Sequence, residues 1–449
     1  AVTGRSCRVV TVYGNAGLGK SRLASEALAR FETRATLLIG RCLPYGEGIT
    51  YWPVVEAVKQ ATSIGDDDPP ERVRAKIAAC LGADEDAVLV AERVAHVVGV
   101  GDASASRDET FWALRRLLEA VANKRPLVLL LEDLHWAAPT LLDLVEYIAN
   151  WWSDAPVLVL CLARPELLET RAHWAHAPNG VSIQLTPLGE DETDALIDSR
   201  LRGASLAAET RQRIKDAAEG NPLFVEQILA MSAEASAFSV PPTIQALLAA
   251  RLDLLGDDER AVLERASVVG RFFSWDAVRE LTPPELWPRL TEHLLSLVRK
   301  ELLAPDSGAG AEHGFRFTHI LIRDAAYGAL LKEVRADLHE QFAVWIERQP
   351  GEFDEIVGYH YEQAFRYREQ LGSVDDRARG LAARAGSRLG DAGRRAHSRG
   401  DTPAAVNLLE RATSLLPADA HDRLALLPEL GRVLTEIGSL DRAEEILTE

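Results

Sequence analysis

The apolar residues of this 449-residue chain fall into two regimes. In the first, unbroken runs of strand length alternate with segments whose apolar residues recur at helical spacing. Val9–Tyr13 (VVTVY) is β-branched and aromatic, the composition of a buried parallel strand. Residues 20–31 follow with Leu23, Ala27 and Leu28 at helical spacing. Further apolar runs lie in RPLVLLLEDLHW (125–136), APVLVLCLARPEL (155–167) and VSIQL (181–185). Between them, 106–122 is predicted as a helix: Ser106 and Glu109 form a capping-box pattern, and Phe111, Leu114, Leu118 and Val121 mark one face. Strands separated by helices predict a parallel α/β sheet. In the second regime, a small helical segment spans 189–235, Pro241–Pro242 opens a new unit, and everything from Arg335 onward is helical.

Length alone predicts about two to four domains. Hydrophobic content of 47% and charged content of 26% are ordinary for a soluble globular chain. The longest apolar runs, PLVLLL (126–131) and VLVLCLA (157–163), are far short of a membrane span. No basic-then-apolar leader opens the chain. The four cysteines (Cys7, Cys42, Cys80 and Cys161) form no CxxC pair, so neither a disulfide framework nor a zinc site is expected. These features point to the cytosol. A net charge of −18 argues against a nucleic-acid binder, because phosphate contacts need a basic face. Ala1 is not a Met start, and RAEEILTE stops inside a helical pattern, so a piece of a larger protein is expected.

One stretch changes the picture most. Gly14-Asn15-Ala16-Gly17-Leu18-Gly19-Lys20-Ser21, followed by Arg22, has the Gly-x-x-x-x-Gly-Lys-Ser spacing and sits between a strand and a helix. Gly14, Gly17 and Gly19 are expected at positive φ, turning backbone N–H groups inward around phosphate oxygens. The helix N-terminus adds its partial positive charge. Lys20 would reach the β- and γ-phosphates and Ser21 would ligate Mg²⁺.

Hydrolysis needs carboxylates at the end of another strand, and Glu132–Asp133 supply them. Glu132 is assigned to the metal shell and Asp133 to the attacking water, with both within reach of the metal. Arg164, ending the next run, is placed to sense the γ-phosphate. The alternative for each is solvation of a strand end.

Together GNAGLGKSRL, GRCLPYGEGITYWPVVEAV (40–58), LLLEDLHWA and LARPELL resemble the STAND-type P-loop ATPases, signalling relatives of the AAA+ and NB-ARC proteins. The resemblance is greatest to those in class III adenylyl/guanylyl cyclases and large LuxR-type regulators. It extends to EGNPLFVEQIL (219–229), similar to the lid element whose proline, here Pro222, packs on adenine. Read locally, GNPL is a helix stop followed by a helix start with proline at its first position. FRFTHILIRDAAYGALL (315–331) resembles the end of the family's winged-helix segment, which implies that His319 contacts the β-phosphate of ADP. Read locally, His319 caps a strand-to-helix junction. Three departures stand out: the sequence starts too late to include the family's upstream Gly-Arg-Glu segment, Ala137–Ala138 follow HW, and Glu132 stands where Asp is usual.

The predicted layout is a P-loop ATPase core (1–188), a helical lid (189–238), a winged-helix-like unit (239–334) and a helical, tetratricopeptide-like region (335–449). Over 243–331, ten Arg and Lys face thirteen Asp and Glu, so the winged-helix unit reads as a packing and switching module, not a DNA reader. HSRGDTPAAVNLLERATSLLP (397–417) and TEIGSLDRAEEILTE (435–449) align at an offset of 38 residues, Gly400 on Gly438. That resembles a tetratricopeptide repeat, whose period is usually ~34. Stacked pairs would present a concave surface to a protein or small-molecule inducer. The resemblance implies an ATP/ADP- and Mg²⁺-dependent switch that slowly hydrolyses ATP and forms homo-oligomers. Its output would be a cyclase, or else a LuxR-type transcriptional regulator. A nucleotide-binding scaffold without turnover and a nucleic-acid-remodelling ATPase are the alternatives.

Overall fold

The computed structural model describes residues 6–43, 51–65, 67–101, 105–151, 155–172, 174, 179–201, 206–234, 243–306, 314–349, 353–372 and 374–449. Residues 44–50 of the GRCLPYGEG stretch, Asp66 and the Pro241–Pro242 boundary lie outside the described residues.

Five strands form one parallel sheet: β1 (Arg8–Tyr13), β2 (Thr36–Arg41), β3 (Leu127–Glu132), β4 (Val157–Ala163) and β5 (Gly180–Gln184), in the order β2-β3-β4-β1-β5. The uninterrupted apolar runs of β3 and β4 follow from this placement, because alternate residues feed two different cores. Leu129, Leu131, Val159 and Cys161 pack on one face, and Val128, Leu130, Leu160 and Leu162 on the other. Helices cover both faces, among them Lys20–Ala29 and Arg107–Lys124. The latter begins with the expected capping box, Glu109 N donating to Ser106 Oγ and Ser106 N to Glu109. β2 is not among the strands the pattern predicts. Its apolar core, Leu37–Ile39, is three residues long, too short to declare a period.

Helices Glu190–Leu201, Ala208–Ala218 and Pro222–Glu234 build a small separate core around Ile197, Ile214, Val225 and Ile228. A second, antiparallel sheet follows: β6 (Phe272–Ser274), β7 (Leu303–Asp306) and β8 (Gly314–Phe317), ordered β6-β8-β7. Helices Asp257–Val269, Leu290–Arg299 and Ile320–Ala329 pack around it. From Lys332 the described residues are helical: Lys332–Ile346, Asp354–Gln370, Asp376–Ser398, Thr402–Leu415, His421–Glu436 and Leu440–Thr448. A single apolar core runs from Leu263 and Phe317 through Leu338 and Tyr361 to Leu389 and Leu430. Packing is therefore continuous across residues 334 and 335.

The turn between helices Asp376–Ser398 and Thr402–Leu415 reaches back to the parallel-sheet unit. Ala105 N donates to Ser398 O (2.9 Å), Arg399 Nε to His96 O (3.1 Å) and Thr110 Oγ1 to Arg399 O (3.2 Å). Thr140 Oγ1 donates to the buried Asp401 carboxylate at 2.7 Å. No described helix is long and apolar enough to cross a membrane.

Candidate functional site

The loop after β1 closes on helix Lys20–Ala29. Gly19 is its N-cap at φ 90°, and no side chain caps that helix end, leaving its N–H groups for an incoming acceptor. Gly17 is also left-handed, at φ 88°. Gly14, expected at positive φ, is not among the left-handed residues. Its role is close approach: a Cβ there would lie 3.2 Å from Leu185 Cβ, where the chain leaves β5. Lys20 Nζ folds onto the loop, donating to Gly14 O (2.6 Å) and Asn15 O (3.0 Å). Burial, with Arg164 and Arg271 nearby, lowers the Lys20 amine to about 8 against the opposing pull of Asp133 and Glu166.

The two acids at the end of β3 part company. Glu132 is the last residue in register with β2, opposite Arg41, whose Nε lies 3.4 Å from Glu132 Oε2. Asp133 then takes a left-handed conformation, φ 55°, and swings its carboxylate elsewhere. Asp133 is among the charges acting on Lys20. Asp133 Oδ2 accepts from Arg271 Nη1 at 2.6 Å.

Other groups gather around the same lysine. His135 has both ring nitrogens buried and without a hydrogen-bond partner. Burial lowers it to about 4, Arg164 and Lys20 acting in the same direction and Asp133 against. Arg164, just past β4, stands 5.6 Å over the Trp136 ring. His319 is the cap foreseen by the local reading, its Nδ1 accepting from Leu321 N at 3.1 Å. Burial lowers it to about 3, with the charges of Arg271, Lys20 and Arg164 acting in the same direction.

The three-helix unit grips the loop directly. Pro222 is the first residue of its helix, as the local pattern predicts. Asn221 Nδ2 donates to Ala16 O (3.1 Å), its Oδ1 accepts from Leu223 N (3.1 Å), and Leu223 N also approaches Gly17 O (3.3 Å). Ser21 sits in the first turn of its helix, and Arg22 pairs with Glu26 at 2.7 Å on the exposed face, away from the cluster.

These residues fit a polyphosphate. An uncapped helix end, a part-buried lysine whose only described acceptors are loop carbonyls, and orphaned buried nitrogens on His135 and Arg271 share one neighbourhood. Among the described residues no trio of His, Cys, Asp and Glu can hold a metal alone. A divalent ion here would arrive with the nucleotide, on Ser21 and Asp133.

Sequence patterns passed over Asn221, His135 and Arg271. The first two lie inside stretches already singled out. For Arg271 no signal exists, since 138 positions separate it from Asp133.

Residues 1–160 match the AAA ATPase domain family. Over 372 residues, 76% of this chain, the sequence is 30% identical to an uncharacterized protein of Rhizobium meliloti (strain 1021), of which it spans 35%. The whole chain also superposes on 62% of the crystal structure of a Signal Transduction ATPase with Numerous Domains (STAND) protein with a tetratricopeptide repeat sensor from Pyrococcus horikoshii. That match has a TM-score of 0.52 at 16% identity, a likeness of fold. The chain thus spans about a third of its curated relative and less than two thirds of the solved one. The AAA match, which implies nucleotide binding, covers the loop and both acids and ends before Arg164, the three-helix unit and His319.

Proposed function

We propose that this chain is the nucleotide-operated switch of a larger signalling protein, binding ATP or ADP with Mg²⁺ and hydrolysing ATP slowly. The observation that carries it is the contact between separate units beside the phosphate loop: Asp133 of the parallel-sheet unit accepts from Arg271 of the antiparallel-sheet unit at 2.6 Å, and the charges of both act on Lys20. A switch needs a ligand that contacts its moving parts differently in its two states, and a γ-phosphate with its metal is such a ligand.

In this scheme Lys20 and the backbone of Gly14 to Gly19 hold the phosphates, and Ser21 with Asp133 takes the metal side. Asp133 also orients the water, because Glu132 is committed to Arg41. Arg164 faces the γ-phosphate, His319 the β-phosphate, and Pro222 the adenine. Bound Mg–ATP supplies a polarised phosphoryl group; the chain's own residues position it and exclude solvent. We divide the chain into core, lid, winged-helix-like unit and repeats as the sequence does, with ATP permitting homo-oligomerisation and an inducer engaging the repeats. The output is an adenylyl or guanylyl cyclase; a LuxR-type regulator stands second.

The test is nucleotide content and turnover of the purified chain beside Lys20→Ala, Asp133→Asn and Glu132→Gln. Binding lost in Lys20→Ala and turnover lost in Asp133→Asn, with Glu132→Gln retaining turnover, is expected. Retained ADP with no turnover in any form would leave a binding scaffold and refute the hydrolytic switch.

A further inference from the structure

We infer that Arg271 is a brake on hydrolysis, holding Asp133 from the antiparallel-sheet unit until that unit withdraws. The inference rests on the nucleotide-switch function proposed above and adds to it the residue that regulates the acid.

The contact is built, not incidental. Arg271 and Asp133 side chains are 10% and 17% exposed, and their ion pair spans 2.6 Å. A carboxylate that orients water needs its lone pairs free, and the charge-assisted bond from Arg271 Nη1 takes up Asp133 Oδ2. Beside this pair runs a second strut. Arg41 of β2 bridges Glu132 (3.4 Å) to Asp306 of β7 (3.6 Å), and its guanidinium lies 4.1 Å over the Phe272 ring. Arg271 stands 5.2 Å from the centre of the same ring. Two acids at the end of β3 are thus tied, through two arginines and one aromatic ring, to β6 and β7.

The tie is also suited to release. Arg271 Nε is buried without a hydrogen-bond partner. A buried ion pair whose desolvation is incompletely repaid contributes little net stability, so parting it into water costs little. The arginine's backbone is coupled to the nucleotide site as well. Phe317 N donates to Arg271 O at 2.9 Å, and Phe272 lies opposite Arg316 in the sheet. His319 follows two residues after Phe317. A phosphate-driven shift of His319 therefore moves Arg271 through one hydrogen-bonded strand pair, and Asp133 is freed by the same displacement.

The experiment uses the whole chain and measures three quantities: Mg–ATP turnover at saturation, the KM for ATP, and radius of gyration in solution without nucleotide. Arg271→Ala is expected to raise turnover about tenfold, the consequence of removing one charge-assisted contact from the closed state. Arg271→Lys keeps the charge but carries it on a shorter, differently shaped head group, and falls between. Arg271→Ala and Asp133→Asn are each expected to open the molecule, and the double variant to open it no further, as members of one pair should. Turnover that falls with a raised KM for ATP makes Arg271 a phosphate ligand and overturns the brake. Unchanged turnover, or additive opening, overturns it too. If Arg271→Ala does not fold, Arg271→Lys decides by the same readouts. Wild type that binds no nucleotide refutes the nucleotide-switch function; wild type that binds and turns over while Arg271→Ala gains nothing refutes the brake alone.

Discussion

Gly400 and Gly438 make a matched pair on which the docking of the repeats can be tested. Both end a repeat helix in the left-handed region, φ 75° and 76°. Alanine at either position costs about 1 kcal/mol for the backbone conformation alone. Their surroundings differ. A Cβ on Gly438 meets no described atom within 4 Å, whereas one on Gly400 would overlap the Arg107 amide nitrogen and lie 2.8 Å from the Ser106 carbonyl carbon. Those are backbone atoms at a capped helix start and cannot rotate aside. The docked turn must lift, and with it go the bonds of Ser398, Arg399 and Asp401 to Ala105, His96, Thr110 and Thr140. At about 1 kcal/mol net for each bond, the loss reaches up to about 4 kcal/mol. Gly400→Ala is therefore expected to destabilise by about 3–5 kcal/mol, or to undock at that cost, and Gly438→Ala by about 1 kcal/mol. Urea denaturation followed by tryptophan fluorescence, with small-angle scattering for compactness, separates the two. Equal shifts for both variants, or a Gly400→Ala protein as compact and stable as wild type, would refute the docking argument.

Two further outcomes follow from the site. The Lys20 amine, lowered to about 8 by burial and neighbouring arginines, sheds its proton as pH rises through that value. The affinity of the free chain for Mg–ADP is expected to fall from pH 8 upward in wild type. It should stay flat in Lys20→Arg, whose guanidinium does not titrate there; calorimetric titrations across that range check it, and a flat wild-type profile would sink the assignment. Asn221→Ala removes the lid's hold on Ala16 O and the cap of helix Pro222–Glu234, a loss of about 1–2 kcal/mol. Faster release of a fluorescent ADP analogue is the expected sign, and an unchanged release rate counts against the lid contact.

The parts of the protein readable from the chain are those whose requirements are local. The phosphate loop is eight consecutive residues, and its two left-handed glycines stand where the spacing demands. β3 and β4 show as unbroken apolar runs because a central parallel strand is buried on both faces. The capping box at Ser106 and Glu109 spans one helical turn and forms as expected. Even the repeat is legible, since Gly400 and Gly438 answer the same need after equivalent helices.

Tertiary structure decided what those parts do to one another. Nothing in LLLEDLHW separates the roles of Glu132 and Asp133. A left-handed turn at Asp133 sends one acid to Lys20 and Arg271 and leaves the other in register with Arg41. Arg271 meets Asp133 across 138 positions, and Asp401 meets Thr140 across 261. Periodicity and capping act over one or two turns of chain, so they fix each element. An ion pair between separately built units depends on how those units pack, and only the packed molecule holds that information.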